Sequence, residues 1–130
     1  MYDQDNGYAQ YKEVDLESRT ASASPLDLVL VLYAGLMDEL VRARSHIENR
    51  RYERKTQSIN KCIDILNALT SSLDFERGGD VVLNLARLYD HCVCRLYEAS
   101  RQLAPQKIDE VVTILSRLRE GWEGLAEKLG

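Results

Sequence analysis

Proline and glycine are scarce in this chain, two and seven among 130 residues. An all-β domain needs a turn roughly every ten residues, so too little turn material is present for one. Cysteine is limited to three, an odd number that makes no disulfide framework and fits a reducing compartment. No apolar run approaches the roughly 18 residues of a membrane span. The opening Met1-Tyr2-Asp3-Gln4-Asp5 has neither a basic n-region nor an apolar h-region. Those absences predict a soluble, cytoplasmic protein without a cleaved signal and without membrane insertion. Excess positive charge is lacking too: 17 Lys and Arg against 21 Asp and Glu leave a net charge of −4. Nucleic acid is therefore not an expected partner.

Catalytic patterns are missing as well. No nucleophile elbow, P-loop or dinucleotide fingerprint occurs, and no Glu-x-x-His pair of the carboxylate-bridged bundles. The run His91-Cys92-Val93-Cys94 suggests a metal only until it is placed on a helix. There, Cys92 and Cys94 point about 200° apart and cannot chelate one ion. Cys92 and Cys62 read instead as small buried hydrophobes. The expectation is no enzyme, no metal and no cofactor.

What the chain does have is helical periodicity. It is 45% hydrophobic, enough to fill a core. Residues 1–23 are poor in aliphatics and read as a flexible N-terminal segment. Ser24-Pro25-Leu26-Asp27 then opens a helix, with Ser24 as N-cap, Pro25 at the first position and Asp27 closing a capping box. Four helices follow within 24–130, over about 25–49, 53–76, 80–103 and 105–129. Their apolar seams are Val29, Tyr33, Leu36, Leu40, Ala43 and Ile47; Ile59, Cys62, Leu66, Leu69 and Leu73; Val82, Leu85, Tyr89, Cys92, Leu96, Ala99 and Leu103; and Ile108, Val111, Leu115, Leu118, Trp122, Leu125 and Leu129. Gly78-Gly79 is expected to end the second helix in a left-handed cap. Short connections force neighbours antiparallel, so the predicted fold is all-α, an up-down-up-down four-helix bundle.

The helices carry more apolar surface than one seam each. Leu28 and Leu32 with Gly35, Val81 with Leu88, and Ile63 with Ile65 form extra strips beside the seams. Together they predict a groove for an amphipathic partner helix. Tyr8, Tyr11, Val14 and Leu16 lie near one weak helical face of the N-terminal segment, which suits a displaceable cover. A basic corner from Arg42 to Lys61 (Arg42, Arg44, Arg50, Arg51, Arg54, Lys55, Lys61) is expected to be a solvated helix junction. An acidic protein, or RNA or another regulator bound there, is the alternative. A homodimer in which the spare strips cover one another is a third possibility.

An ordered set of residues resembles the flagellar secretion chaperone FliS family. The set is Met1-Tyr2, Tyr11-Lys12-Glu13-Val14-Asp15-Leu16-Glu17-Ser18, Ala23-Ser24-Pro25, Leu32-Tyr33-Ala34-Gly35, Gly78-Gly79-Asp80, Asn84-Leu85, Leu88-Tyr89-Asp90, Arg95-Leu96 and Trp122. Ala34 stands where the family's first-helix motif carries an acid. The resemblance implies a cytoplasmic bundle that binds the disordered C-terminal segment of flagellin, which becomes partly helical as it wraps. It further implies that binding prevents premature polymerisation and delivers the subunit, as a complex, to the flagellar type III export gate. In the family a tyrosine-bearing N-terminal segment yields its place to flagellin, and Tyr11 matches that tyrosine best. Combined with helical-wheel position, this assigns Leu28, Leu32, Ile63, Leu85 and Leu88 to the groove, and Tyr8, Tyr11 and Leu16 to the cover.

Overall fold

The computed structural model describes residues 24–130. The assigned cover residues Tyr8, Tyr11 and Leu16 lie outside the described residues. Four helices make up nearly all of the rest: α1 (Pro25–Glu48), α2 (Tyr52–Ser71), α3 (Gly79–Gln102) and α4 (Pro105–Leu129). The start of α1 is as the sequence predicts. The Ser24 hydroxyl accepts the Asp27 N–H at 3.2 Å, and the Asp27 carboxylate accepts the Ser24 N–H at 3.3 Å. Two of the helix's orphan donors are satisfied in this reciprocal way.

The second helix departs from expectation. It stops at Ser71, five residues before the predicted end, because nearby side chains offer the backbone other bonds. The Ser72 hydroxyl donates to the Leu69 carbonyl at 2.7 Å, and the Asp74 carboxylate accepts the Arg77 N–H at 3.1 Å. The glycine pair therefore serves the start of α3 rather than the end of α2. Gly79 takes the left-handed conformation, φ +57°, and a Cβ on Gly78 would lie 1.8 Å from Cγ2 of Val82. α3 itself stops one residue early: Leu103, expected on the seam, becomes a left-handed C-cap at φ 52° with its side chain exposed.

Polar contacts between helices set their directions. Lys55 near the start of α2 donates to the Ser100 carbonyl near the end of α3, at 3.1 Å. Arg44, late in α1, forms a forked pair with Asp109, early in α4, at 2.7 and 2.9 Å. Lys107 of α4 reaches back to Glu98 of α3. Each pair joins the late part of one helix to the early part of another, so these neighbours run antiparallel. The helices pack in a ring, α1 on α2 and α4, α3 on α2 and α4. This is the predicted four-helix bundle.

Inside, the predicted seams meet as one cluster that includes Tyr33, Leu36, Leu40, Leu66, Leu96, Ile108 and Leu115. One polar contact crosses its diagonal: the Tyr33 and Tyr89 hydroxyls lie 2.7 Å apart, both buried. Burial, with the partner's hydroxyl adding to it at Tyr33, raises both phenols above their ordinary range. Burial likewise pushes the Cys92 thiol up to about 11, and raises Cys62 as well. Both thiols stay protonated, as structural cysteines do.

The tyrosine pair gives a stability prediction. Tyr33→Phe removes one of the two side-chain partners of the buried Tyr89 hydroxyl, the other being Trp122, and is expected to destabilise the bundle by about 1 kcal/mol. Adding Tyr89→Phe removes both hydroxyls, so the double variant is expected to be no worse than either single one. A double-mutant cycle from urea unfolding measures this.

Candidate partner-binding surface

The core does not run the full length of the bundle. Going toward the end where α1 and α3 begin and α2 and α4 finish, the last buried seam residues are Tyr33, Leu69, Val82 and Leu115, with Leu85 half-buried between Tyr89 and Val82. Around and past the tyrosine pair the same stripes continue without full cover. Val29, Leu118 and Trp122 are half-buried against the cluster, the Trp122 side chain reaching both tyrosines. Leu125 is 41% exposed and Leu129 74%. On α3, Val81 is 69% exposed and Leu83 is exposed on the other side of the buried Val82, and Phe75 in the preceding turn is exposed as well.

Helix length accounts for this. α2 has 20 residues where α1, α3 and α4 have 24, 24 and 25. At about 1.5 Å per residue it falls roughly 6–8 Å short, so the helical wall is missing at this end, where the following turn places Leu73 against the core. The seam of α4 then has no full complement to bury against. Several large apolar side chains left open at one end of a small bundle point to a place for a partner.

The predicted groove residues divide accordingly. Leu28 and Leu32 on the first turns of α1 are half-buried, as are Leu85 and Leu88 on α3. Leu28 lies on the first turn of α1, and Leu32 and Leu88 each precede a member of the buried Tyr33–Tyr89 pair. Leu32 and Leu85 also pack against the core. Ile63 is different: it is 5% exposed and belongs to the central cluster. Adjacent positions Cys62 and Ile63 both fall within the wide stripe that α2 buries, so Ile63 offers a partner no surface. Its assignment to the groove is corrected to core. Its companion Ile65 is half-buried and turned toward α1, where a Cβ on Gly35 would lie 3.9 Å from its Cδ1.

Sequence reasoning missed Trp122, Leu125 and Leu129, which were counted as core, and also Phe75 and Leu83. The α4 seam continues through four positions after Leu115, but with the second helix expected over 53–76 nothing in the spacing shows that the opposing wall stops at Ser71.

The basic corner is partly neutralised from within. Arg44 pairs with Asp109 and with Glu48, and Arg42 with Glu39 at 2.8 Å. The hydrogen bond from Arg44 holds the Asp109 carboxyl below the usual carboxylate range. Among the described residues no group of three or more His, Cys, Asp or Glu is placed to hold a metal ion. None of the described helices is long and apolar enough to cross a membrane.

Comparison with known proteins agrees with an interaction role. Residues 6–129 match the family described as Flagellar protein FliS. Over 124 residues the chain is 37% identical to the flagellar secretion chaperone FliS of Salmonella typhimurium, covering 95% of this chain and 92% of that protein. It is 35% identical over 117 residues to the flagellar secretion chaperone FliSB of Pseudomonas aeruginosa, covering 90% and 93%. A more distant relative is the flagellar secretion chaperone FliS of Bacillus subtilis, 26% identical over 118 residues and covering 91% and 84%.

Proposed function

The chain belongs to the FliS family of flagellar secretion chaperones, and from that premise we propose that it binds the C-terminal segment of flagellin in the cytoplasm. In this reading it keeps the subunit from polymerising early and assists its delivery to the flagellar export apparatus. Chaperones of this family are not enzymes, and the proposed action has no chemical step.

One observation carries the reading: apolar seams that run on past the end of the core, from Leu115 through Trp122 to Leu129. A segment that folds into a helix on binding supplies the missing wall and buries those side chains. Leu28, Leu32, Leu85 and Leu88, already half-buried, are the flanks against which it would pack. Ordering a long disordered segment costs several kcal/mol, so a large wrapped area is required for tight binding. Tyr8, Tyr11 and Leu16 are proposed to occupy part of the surface until flagellin takes their place.

Isothermal titration with a flagellin C-terminal peptide tests the reading. A 1:1 complex with a negative heat-capacity change is expected, and no binding by the folded full chain would overturn it. Removing residues 1–16 is expected to strengthen peptide affinity or leave it unchanged, because the proposed cover competes with the peptide. Marked weakening would mean that those residues contact flagellin directly. Sedimentation in the same samples reports the remaining alternative, a homodimer through the open end, which the peptide should dissociate.

A further inference from the structure

At the opposite end of the bundle, an open depression of about 810 Å³ lies between the start of α2 and the end of α3. Its walls are Tyr52 and Tyr97, both exposed, with Leu103 beside them. Lys55 lines it, 8% exposed, with its ammonium donating to the Ser100 carbonyl at 3.1 Å. We propose that this depression docks an acidic segment of a second protein, seating a large apolar or aromatic side chain between the two tyrosines and its carboxylates on the surrounding cations.

Charge is the first argument. The chain as a whole carries −4, yet Lys55 and Arg101 line this depression, and Arg51 and Arg54 with one acid, Glu53, surround the other side of Tyr52. Arg51 donates to Nδ1 of His46 at 3.0 Å and to Oγ of Ser45 at 3.1 Å, both uncharged acceptors, so those bonds leave its charge uncompensated. A local positive field on an acidic protein selects an acidic partner. Arginine beside exposed tyrosine is also the composition typical of interface anchors.

Backbone strain is the second argument. Arg50 and Leu103 are the two non-glycine residues with positive φ among the described residues; Leu103 lines this depression, and Arg50 lies two residues before its Tyr52. The left-handed region disfavours leucine, and glycine or asparagine normally fills such a helix cap. Leucine at this cap is not fully covered by its own chain, its side chain being 41% exposed. A contact made by that side chain outside the chain explains why the strain is kept. RNA fits less well: the overall charge repels it, and two rings on facing helices do not make a row of stacking platforms.

The surface is separate from the open apolar end by most of the length of α2, about 30 Å at the α-helical rise. Its test can therefore fail while flagellin binding stands. A dye-labelled peptide of Asp and Glu around one central Trp is titrated by anisotropy against the full chain, beside its Asn/Gln counterpart and a labelled oligouridylate. The acidic peptide is expected to bind at least tenfold more tightly than the amide counterpart. Arg101→Glu and Tyr97→Ala are each expected to weaken it at least fivefold. Leu103→Gly, which relieves the left-handed strain, is expected to weaken it without lowering the melting temperature. The flagellin segment is expected to bind all three variants as it binds the parent. Equal affinity for the acidic and amide peptides, tighter binding of the oligouridylate, or variants indistinguishable from the parent would each overturn the proposal. Loss of flagellin binding in the same variants would overturn it too, by making the two surfaces one.

Discussion

Replacing Leu125 and Leu129 together by aspartate is expected to weaken binding of the flagellin C-terminal segment about a hundredfold while the bundle stays folded. The two side chains are 41% and 74% exposed, so the free protein loses little internal burial when they change. In the complex both are proposed to be covered. Burying a leucine is worth about 1.5 kcal/mol or more, and two together about 3 kcal/mol, which converts to roughly two decades in Kd. Added charges in a dry contact make the loss larger still. Calorimetric titration measures the affinity and a thermal melt the fold. Binding unchanged, with the melt also unchanged, would mean that the partner sits elsewhere.

The second large effect lies on the same stripe of the same helix, less than three turns away. Leu115→Ala is expected to destabilise the bundle by about 2–5 kcal/mol, because Leu115 is fully buried and its removal leaves a cavity. For a domain of this size that lowers Tm by roughly 10–20 °C. Leu125→Ala, a chemically identical change, is expected to cost about 0.5 kcal/mol or less. The pair locates the end of the core by experiment. Similar losses at both positions would show that α4 is packed along its whole length, leaving no open end to bind anything.

Much of this architecture could be read from the residues. Ser24, Pro25 and Asp27 place the start of α1 because a capping box is a local device with a local spelling. The seams around Tyr33, Leu66, Cys92 and Ile108 follow from spacing alone, and they meet in one cluster. What escaped was decided by contacts that spacing does not encode. α2 ends early because of the hydroxyl of Ser72 and the carboxylate of Asp74, and its early end is what opens the bundle. Periodicity assigned Trp122, Leu125 and Leu129 to the core, correctly as to face and incorrectly as to cover. Ile63 was assigned to a flank because the width of the buried stripe on α2 depends on how closely its neighbours approach. The depression between Tyr52 and Tyr97 joins residues far apart in the chain, on two helices whose register no local pattern reveals.

Trp122 is the chain's one tryptophan and is half-buried beside the open end, so its emission reports directly on what covers that surface. Titration of the full chain with a tryptophan-free flagellin C-terminal peptide is expected to shift the emission to the blue and to protect it from acrylamide, saturating at one peptide per chain. A peptide that is bound at saturation by sedimentation, yet leaves both the emission and the quenching as they were, would contradict the account.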